Sequence, residues 1–131
     1  MALVPLIEYE AASDEVKAVY DEIMTVRKTD WVNNFWKVLA HSPATLKRIW
    51  ASVKEIMCPG KIDPLTKEMI YIAVSITNNC SYCIHSHTAS ARAKGMTDEM
   101  QGELLAVVSL ANQTNSLANG YQIPVDEKFK L

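Results

Sequence analysis

Helix-start signals recur along this chain and constrain its fold more than any other feature. At Ser42-Pro43 and Asp63-Pro64 a capping residue precedes a proline, which is favoured at the first position of an α-helix. Ser13, which is followed by two acidic residues, and Thr97 begin two further predicted helices. No stretch shows the apolar–polar alternation of a half-buried strand. The sequence therefore predicts an all-α protein.

The predicted helices also carry apolar residues at the i, i+3, i+4 and i+7 spacing of an amphipathic helix. Their limits are residues 13–29, residues 33–40, Pro43 to a stop at Pro59-Gly60, Pro64 to Asn78-Asn79, a segment after Asn79 that is closed by Gly95, and a long helix from Thr97 to Asn119. This last helix is apolar on more than one face. We therefore expect a second subunit to cover part of it in a homo-oligomer.

Composition narrows the class of protein. Of 131 residues, 49% are apolar and 21% charged, as in an ordinary globular protein, so we expect a single domain over residues 1–131. The formal net charge of −2 offers no basic surface for nucleic acid. No apolar run is long enough to span a bilayer, and residues 2–7 lack the basic leader of a signal peptide. Three cysteines do not suit a secreted disulfide framework, so we expect a cytoplasmic protein.

Two cysteines and two histidines fall within eight consecutive residues, from Cys80 to His87. At about 100° per residue, Cys80, Cys83 and His87 share one stripe of a helix. His85 lies about 160° from His87 around the same helix and is expected to face solvent. A CxxC pair in a reducing compartment is more often catalytic or metal-binding than structural.

Glu68 is an unusual residue in the preceding predicted helix, because it lies on the core-facing stripe between Leu65 and Ile72. A buried carboxylate is costly unless it is paired or hydrogen-bonded. We therefore expect Glu68 to contact His87 or one of the cysteines, so that the four side chains meet between two helices.

These residue types support thiol chemistry. The pKa of a thiol falls near a helix N-terminus or beside an imidazole. We expect Cys80 in the first turn of its helix, and Cys83 lies one turn from His87, to which it could pass a proton. Glu68 could orient His87 or accept the proton in turn. A sulfenic acid on one cysteine could then condense with the other.

Two other interpretations remain open for this cluster, a zinc site and a structural role, and a third is disfavoured. Cys80, Cys83, His87 and Glu68 could bind zinc, although no second pair of ligands follows downstream. The thiols could be structural, beside a core histidine. A thioredoxin-type fold would require alternating strands and helices, which the sequence lacks. The third cysteine, Cys58, is expected to be a small packing residue.

Glu68, eleven residues, Cys80-Ser81-Tyr82-Cys83, three residues and His87 resemble the E-x11-C-x-x-C-x3-H signature of the alkylhydroperoxidase D family, within the carboxymuconolactone decarboxylase superfamily. The resemblance covers roughly residues 40–115, which we expect to form the core, with the helix at 13–29 packed on it. It implies an all-helical domain with the CxxC at the start of a central helix. Such domains assemble into trimers or hexamers, with the site in a pocket near subunit contacts.

The resemblance also implies a role for each residue. Cys83 would attack an alkyl or hydrogen peroxide and become the sulfenic acid, and Cys80 would resolve it to a disulfide. Glu68 and His87 would be the proton relay. The disulfide would be reduced by a dithiol such as dihydrolipoamide, or by a redox partner protein. Neither a metal nor a cofactor such as haem or flavin is required.

The chain departs from the family pattern at Tyr82, where the prototype carries a second histidine. A phenol is a poorer base near neutral pH, which predicts a shorter relay and a weaker peroxidase. A decarboxylase-like activity is an alternative within the superfamily, although true decarboxylases generally lack the cysteine pair. A redox-sensing or zinc-binding module of the same fold is a further alternative.

Overall fold

Six α-helices account for most of the chain in a computed structural model, which describes residues 2–130. They are α1 (Asp14–Arg27), α2 (Asn34–Leu39), α3 (Pro43–Met57), α4 (Pro64–Thr77), α5 (Ser81–Ala93) and α6 (Asp98–Tyr121). Short 3-10 helices lie at Tyr9–Ala11 and Glu127–Phe129. No strand occurs within residues 2–130. The all-α prediction is confirmed.

The predicted helix starts are confirmed by capping hydrogen bonds. The side chains of Ser13, Ser42, Asp63 and Thr97 each accept a bond from the backbone N–H three residues later. The predicted stop at Gly95 is also confirmed, since this residue follows the end of α5 with a φ of 102°. Two boundaries differ, because α1 ends at Arg27 and not at residue 29, and α6 continues beyond Asn119 to Tyr121.

The chain divides into two units, one ending at Cys58 and the other beginning at Pro59. In the first unit α3 packs against α1 and α2. The core of this unit contains the indole rings of Trp36 and Trp50, which meet edge to face with their centroids 5.4 Å apart. The predicted stripe of α1 is buried there, as Val16, Val19, Tyr20 and Ile23.

In the second unit α4 packs against both α5 and α6. Ile72, Ala91 and Met96 form the buried core, and other apolar residues pack around them: Leu65, Met69, Ile76, Met100 and Leu104. Since all of the predicted site residues belong to α4, α5 and the turn between them, this unit alone positions the candidate site. The single-domain boundary and the packing of the first helix on the core stay predictions.

Helix α6 leaves much of its apolar surface uncovered in the single chain. Of its 24 residues only Val108 is buried, whereas Val107 and Leu110 are 65% and 60% exposed. Within residues 2–130, no helix combines the length and the apolar character needed to cross a membrane.

The burial of Ile72 in the core of the second unit predicts how its substitution affects stability. Ile72 is 2% exposed and Ile70, two residues earlier on α4, is 48% exposed. Ile72→Ala is expected to lower the free energy of unfolding by about 2–5 kcal/mol, because it removes buried methyl groups and leaves a cavity. Ile70→Ala is the matched control in urea unfolding, and an equal loss in the two variants would contradict this core assignment.

Candidate active site

The two cysteines of the CxxC motif are joined in a disulfide at the start of α5, with their Cα atoms 5.3 Å apart. The sequence predicted Cys80 in the first turn of this helix. In the structure Cys80 is instead the N-cap, one residue before the helix begins. Its Sγ accepts the backbone N–H of Cys83 at 3.3 Å. A sulfur in this position takes the place of the usual capping oxygen and lies close to the positive end of the helix.

A tight turn places Cys80 at the N-cap. Asn79 adopts a left-handed backbone conformation with a φ of 57°, which asparagine tolerates better than most residues. Immediately after it, the backbone N–H of Cys80 donates to the carbonyl of Ser75 at 2.9 Å. The end of α4 and the beginning of α5 are thus tied together next to the disulfide.

Glu68 on α4 and His87 on α5 form the pair that the sequence predicted. His87 Nδ1 lies 2.7 Å from Glu68 Oε2. Glu68 is 6% exposed, so the carboxylate is buried between the helices. Its partner is the histidine, and no hydrogen bond from a cysteine to this carboxylate is present.

Two further residues of α5 bind the other carboxylate oxygen. Ser90 Oγ donates to Glu68 Oε1 at 2.7 Å, and Lys94 Nζ lies 3.1 Å from the same oxygen. Lys94 Nζ also contacts Ser90 Oγ at 2.7 Å. Neither residue was predicted from the sequence, although their spacing could have revealed them: positions 87, 90 and 94 fall on one face of a helix.

This set of donors stabilises the ionised form of Glu68. Burial opposes the charge, but the hydrogen bonds from His87, Ser90 and Lys94 outweigh it, and the pKa of Glu68 falls from its ordinary 4.5 to about 2. Glu68 is therefore an anion at neutral pH and can only accept hydrogen bonds. It follows that His87 Nδ1 carries the proton in this contact, which leaves Nε2 as the basic nitrogen of the neutral ring.

Tyr71 is a third residue of the site that was not predicted from the sequence. Its ring stacks on the imidazole of His87, with centroids 3.6 Å apart and planes 20° from parallel. Tyr71 lies three residues after Glu68 on α4, so one face of that helix supplies both contacts to His87. The imidazole is therefore held in plane by Glu68 and covered on one face by Tyr71.

The remaining candidate residues are exposed. His85 is exposed, as predicted, and its Nδ1 contacts the carbonyl of Ser81 at 2.8 Å. Tyr82 is 43% exposed on the first turn of α5. Cys58 is exposed, and its Sγ donates to the carbonyl of Glu55, so the prediction that it is a small packing residue is wrong. Its position at the C-cap of α3, where the helix ends before Pro59, explains the exposure.

A metal site was one of the open interpretations of the cluster. Within the part of the chain that the structure describes, no group of three or more histidine, cysteine, aspartate or glutamate side chains is arranged to hold a metal ion. Cys80 and Cys83 are bonded to each other, and Glu68 is bound by His87, Ser90 and Lys94.

Comparisons with known proteins agree with the all-helical fold. Residues 43–125 match the carboxymuconolactone decarboxylase family. The crystal structure of the alkylhydroperoxidase AhpD core from Rhodospirillum rubrum is 55% identical, with a TM-score of 0.94, over 98% of this chain and 97% of that one. This chain therefore belongs to the carboxymuconolactone decarboxylase family and has the AhpD-like fold.

Two curated relatives match over shorter stretches. An uncharacterised protein of the cox locus of Paracoccus denitrificans is 34% identical over 56 residues, which are 43% of this chain. An alkyl hydroperoxide reductase of Mycobacterium tuberculosis is 28% identical over 67 residues, which are 51% of this chain. The matches span 50% of the first relative and 20% of the second.

The depressed pKa of Glu68 predicts how stability depends on pH. Since the folded carboxyl group binds fewer protons than the unfolded one, its contribution is present above pH 4.5 and is lost as the pH falls towards 2. The full contribution is of the order of 3 kcal/mol. Urea unfolding between pH 2 and pH 6 should therefore show a steeper acid loss in the wild type than in Glu68→Gln. The control is Glu103→Gln, at an exposed position on α6. If the free energy of unfolding fell equally steeply with pH in the wild type and in Glu68→Gln, this contribution of Glu68 would be refuted.

Proposed function

We propose that the protein is a thiol-dependent peroxidase, which reduces alkyl or hydrogen peroxide through a dithiol–disulfide cycle of Cys80 and Cys83. The observation that carries this proposal is the geometry at the start of α5. A bonded cysteine pair lies one turn before a histidine that is held by a buried glutamate. The alkylhydroperoxidase core and the alkyl hydroperoxide reductase among the similar proteins support the same chemistry.

The first half of the cycle oxidises Cys83. His87 Nε2 accepts the thiol proton of Cys83, which lies four residues earlier on the same helix. The thiolate attacks one peroxide oxygen, the O–O bond breaks, and Cys83 becomes a sulfenic acid. The departing alkoxide or hydroxide takes the proton from His87, so that an alcohol or water leaves.

The second half of the cycle closes and reopens the disulfide. Cys80 attacks the sulfenic sulfur of Cys83, the S–O bond breaks, and water leaves with the thiol proton of Cys80. The disulfide in the structure corresponds to this product state. A dithiol such as dihydrolipoamide, or a redox partner protein, then returns both thiols by exchange and is itself oxidised. Because this step needs a reducing compartment, the cytoplasm is the proposed location.

Glu68 acts in this scheme by orienting His87, not by accepting its proton. A carboxyl group with a pKa of about 2, bound by Ser90 and Lys94, is too weak a base to take a proton from imidazole near neutral pH. The relay therefore has two proton transfers, from Cys83 to His87 and from His87 to the leaving oxygen. With Tyr82 in place of the prototype's second histidine, no other imidazole stands inside the CxxC motif.

Disulfide exchange with a protein or small thiol is the second candidate function. The observation that favours it is the N-cap position of Cys80, whose Sγ already accepts the N–H of Cys83. A hydrogen bond to sulfur at a helix N-terminus favours the thiolate, and a stable thiolate is a good leaving group in exchange. Rapid disulfide reduction without peroxide turnover would support this second function.

A decarboxylase-like activity on lactone or related carboxylate substrates would use the fold without the thiols. It predicts turnover that survives Cys83→Ser, whereas both thiol functions predict that turnover is lost.

We also propose that the protein is a homo-oligomer, a trimer or a hexamer. Exposed apolar side chains run along α6 and into the segment that follows it: Leu105, Val107, Leu110, Leu117, Tyr121, Ile123 and Val125. Contiguous apolar surface of this kind usually marks an interface. Light scattering coupled to size-exclusion chromatography should give three or six times the 14.6 kDa of the chain. Val107→Asp should lower that mass, and a monomeric wild type would contradict the proposal.

Cysteine substitutions test the peroxidase cycle. Cys83→Ser should abolish peroxide consumption with dihydrolipoamide as the reductant, because it removes the attacking sulfur. Cys80→Ser should consume one equivalent of peroxide and leave a sulfenic acid that dimedone traps on Cys83, because the internal disulfide cannot form without Cys80. Cys58→Ser is the matched control and should retain wild-type turnover. Full cycling in Cys80→Ser, or dimedone labelling elsewhere, would contradict the assigned roles.

A further inference from the structure

The two oxygens of the Glu68 carboxylate bind different partners. Oε2 faces His87, whereas Oε1 faces Ser90 and Lys94. Lys94 and Ser90 also contact each other, so that Glu68 Oε1, Ser90 Oγ and Lys94 Nζ form a closed triangle with sides of 2.7, 2.7 and 3.1 Å. Lys94 is therefore a cation that is bound to the buried carboxylate without touching His87.

The charge of Glu68 decides which nitrogen of His87 is basic. An ionised carboxylate accepts only, so it selects the tautomer with the proton on Nδ1 and the lone pair on Nε2. A neutral carboxyl group could instead donate to Nδ1, and the ring proton would then lie on Nε2, which could no longer act as a base. A neighbouring cation favours the ionised carboxylate.

Lys94 also affects how much positive charge the pair can hold. With Lys94 present, the carboxylate of Glu68 already has a cationic partner. The carboxylate therefore gives less net electrostatic stabilisation to a second positive charge on His87. Of the groups that bind Glu68 within residues 2–130, Ser90 is neutral, so His87 would supply the positive charge once Lys94 is removed. The Glu68–His87 pair would then retain a proton on Nε2 more readily, and the imidazole would be a less available base.

We propose that Lys94, assisted by Ser90, is a positioning residue: by binding Glu68 Oε1 it keeps His87 in the neutral form with the proton on Nδ1 and the basic lone pair on Nε2. The catalytic consequence rests on the proposed peroxidase function, but the effect on the imidazole does not. The side chain of Lys94 is 36% exposed, at the C-cap of α5. It can therefore be replaced without opening the core formed by Ile72, Ala91 and Met96.

The direct test is nitrogen NMR of His87 in the oxidised protein, in which the disulfide removes any influence of free thiols. The chain has three histidines, so a His87→Asn variant assigns the signals. In the wild type at slightly alkaline pH, Nδ1 should be protonated and Nε2 unprotonated. In Lys94→Met the two signals should shift towards imidazolium or towards the opposite tautomer, and Lys94→Arg should restore the wild-type pattern.

Controls and kinetics complete the experiment. Lys61→Met removes the same charge from an exposed loop residue outside the triangle and should leave His87 unchanged. Ser90→Ala, which keeps the cation, should shift the His87 signals in the same direction by less, and it serves if Lys94→Met does not fold. With the reduced protein, kcat/KM for peroxide should fall about tenfold or more in Lys94→Met. The reason is that the variant loses part of the acid–base catalysis by His87.

The two proposals fail separately. Identical His87 signals in the wild type, Lys94→Met and Ser90→Ala would overturn the positioning role, whatever the turnover. Shifted His87 signals together with a wild type that consumes no peroxide would uphold the positioning role and overturn the peroxidase function.

Discussion

The candidate site depends on a buried carboxylate that is fully hydrogen-bonded. Glu68 lies at 6% exposure on the buried face of α4, and such a group is tolerated only when donors surround it. His87, Ser90 and Lys94 supply those donors from one face of α5. The same contacts that make the charge tolerable also fix α4 against α5 and orient the imidazole. Stability and chemistry therefore share one interaction in this unit.

The cysteine pair relies on a second, local constraint. The left-handed Asn79 turns the chain so that Cys80 caps α5 and Cys83 lies one turn along. The two sulfurs consequently have different surroundings. Cys80 Sγ accepts an N–H at the start of the helix, whereas Cys83 lies on the helix face that also carries His87. This difference matches the division of labour in the proposed cycle, in which Cys83 lies one turn from its base and Cys80 is the resolving thiol.

Much of the fold could be read from the sequence because its signals are local. Capping residues such as Asp63 and Thr97, and the stop at Gly95, mark helix ends through contacts within four residues. The Glu68–His87 contact was also predictable, since a carboxylate on an apolar stripe demands a partner. Ser90, Lys94 and Tyr71 were missed because each is an ordinary surface residue type, and only the packing of α4 on α5 brings it to the site. Cys58 was misplaced because small apolar character does not distinguish a core position from a helix end.

The most direct test of the account is a single-turnover oxidation of the reduced protein by peroxide, with the Cys80–Cys83 disulfide followed by quenched-flow mass spectrometry. Glu68→Gln keeps the shape of the side chain but removes the anion that selects the basic nitrogen of His87. If the Glu68–His87 pair activates Cys83, disulfide formation in this variant should be slower by about 10²-fold near neutral pH. An equal rate in the wild type and in Glu68→Gln, with both proteins folded, would contradict the account.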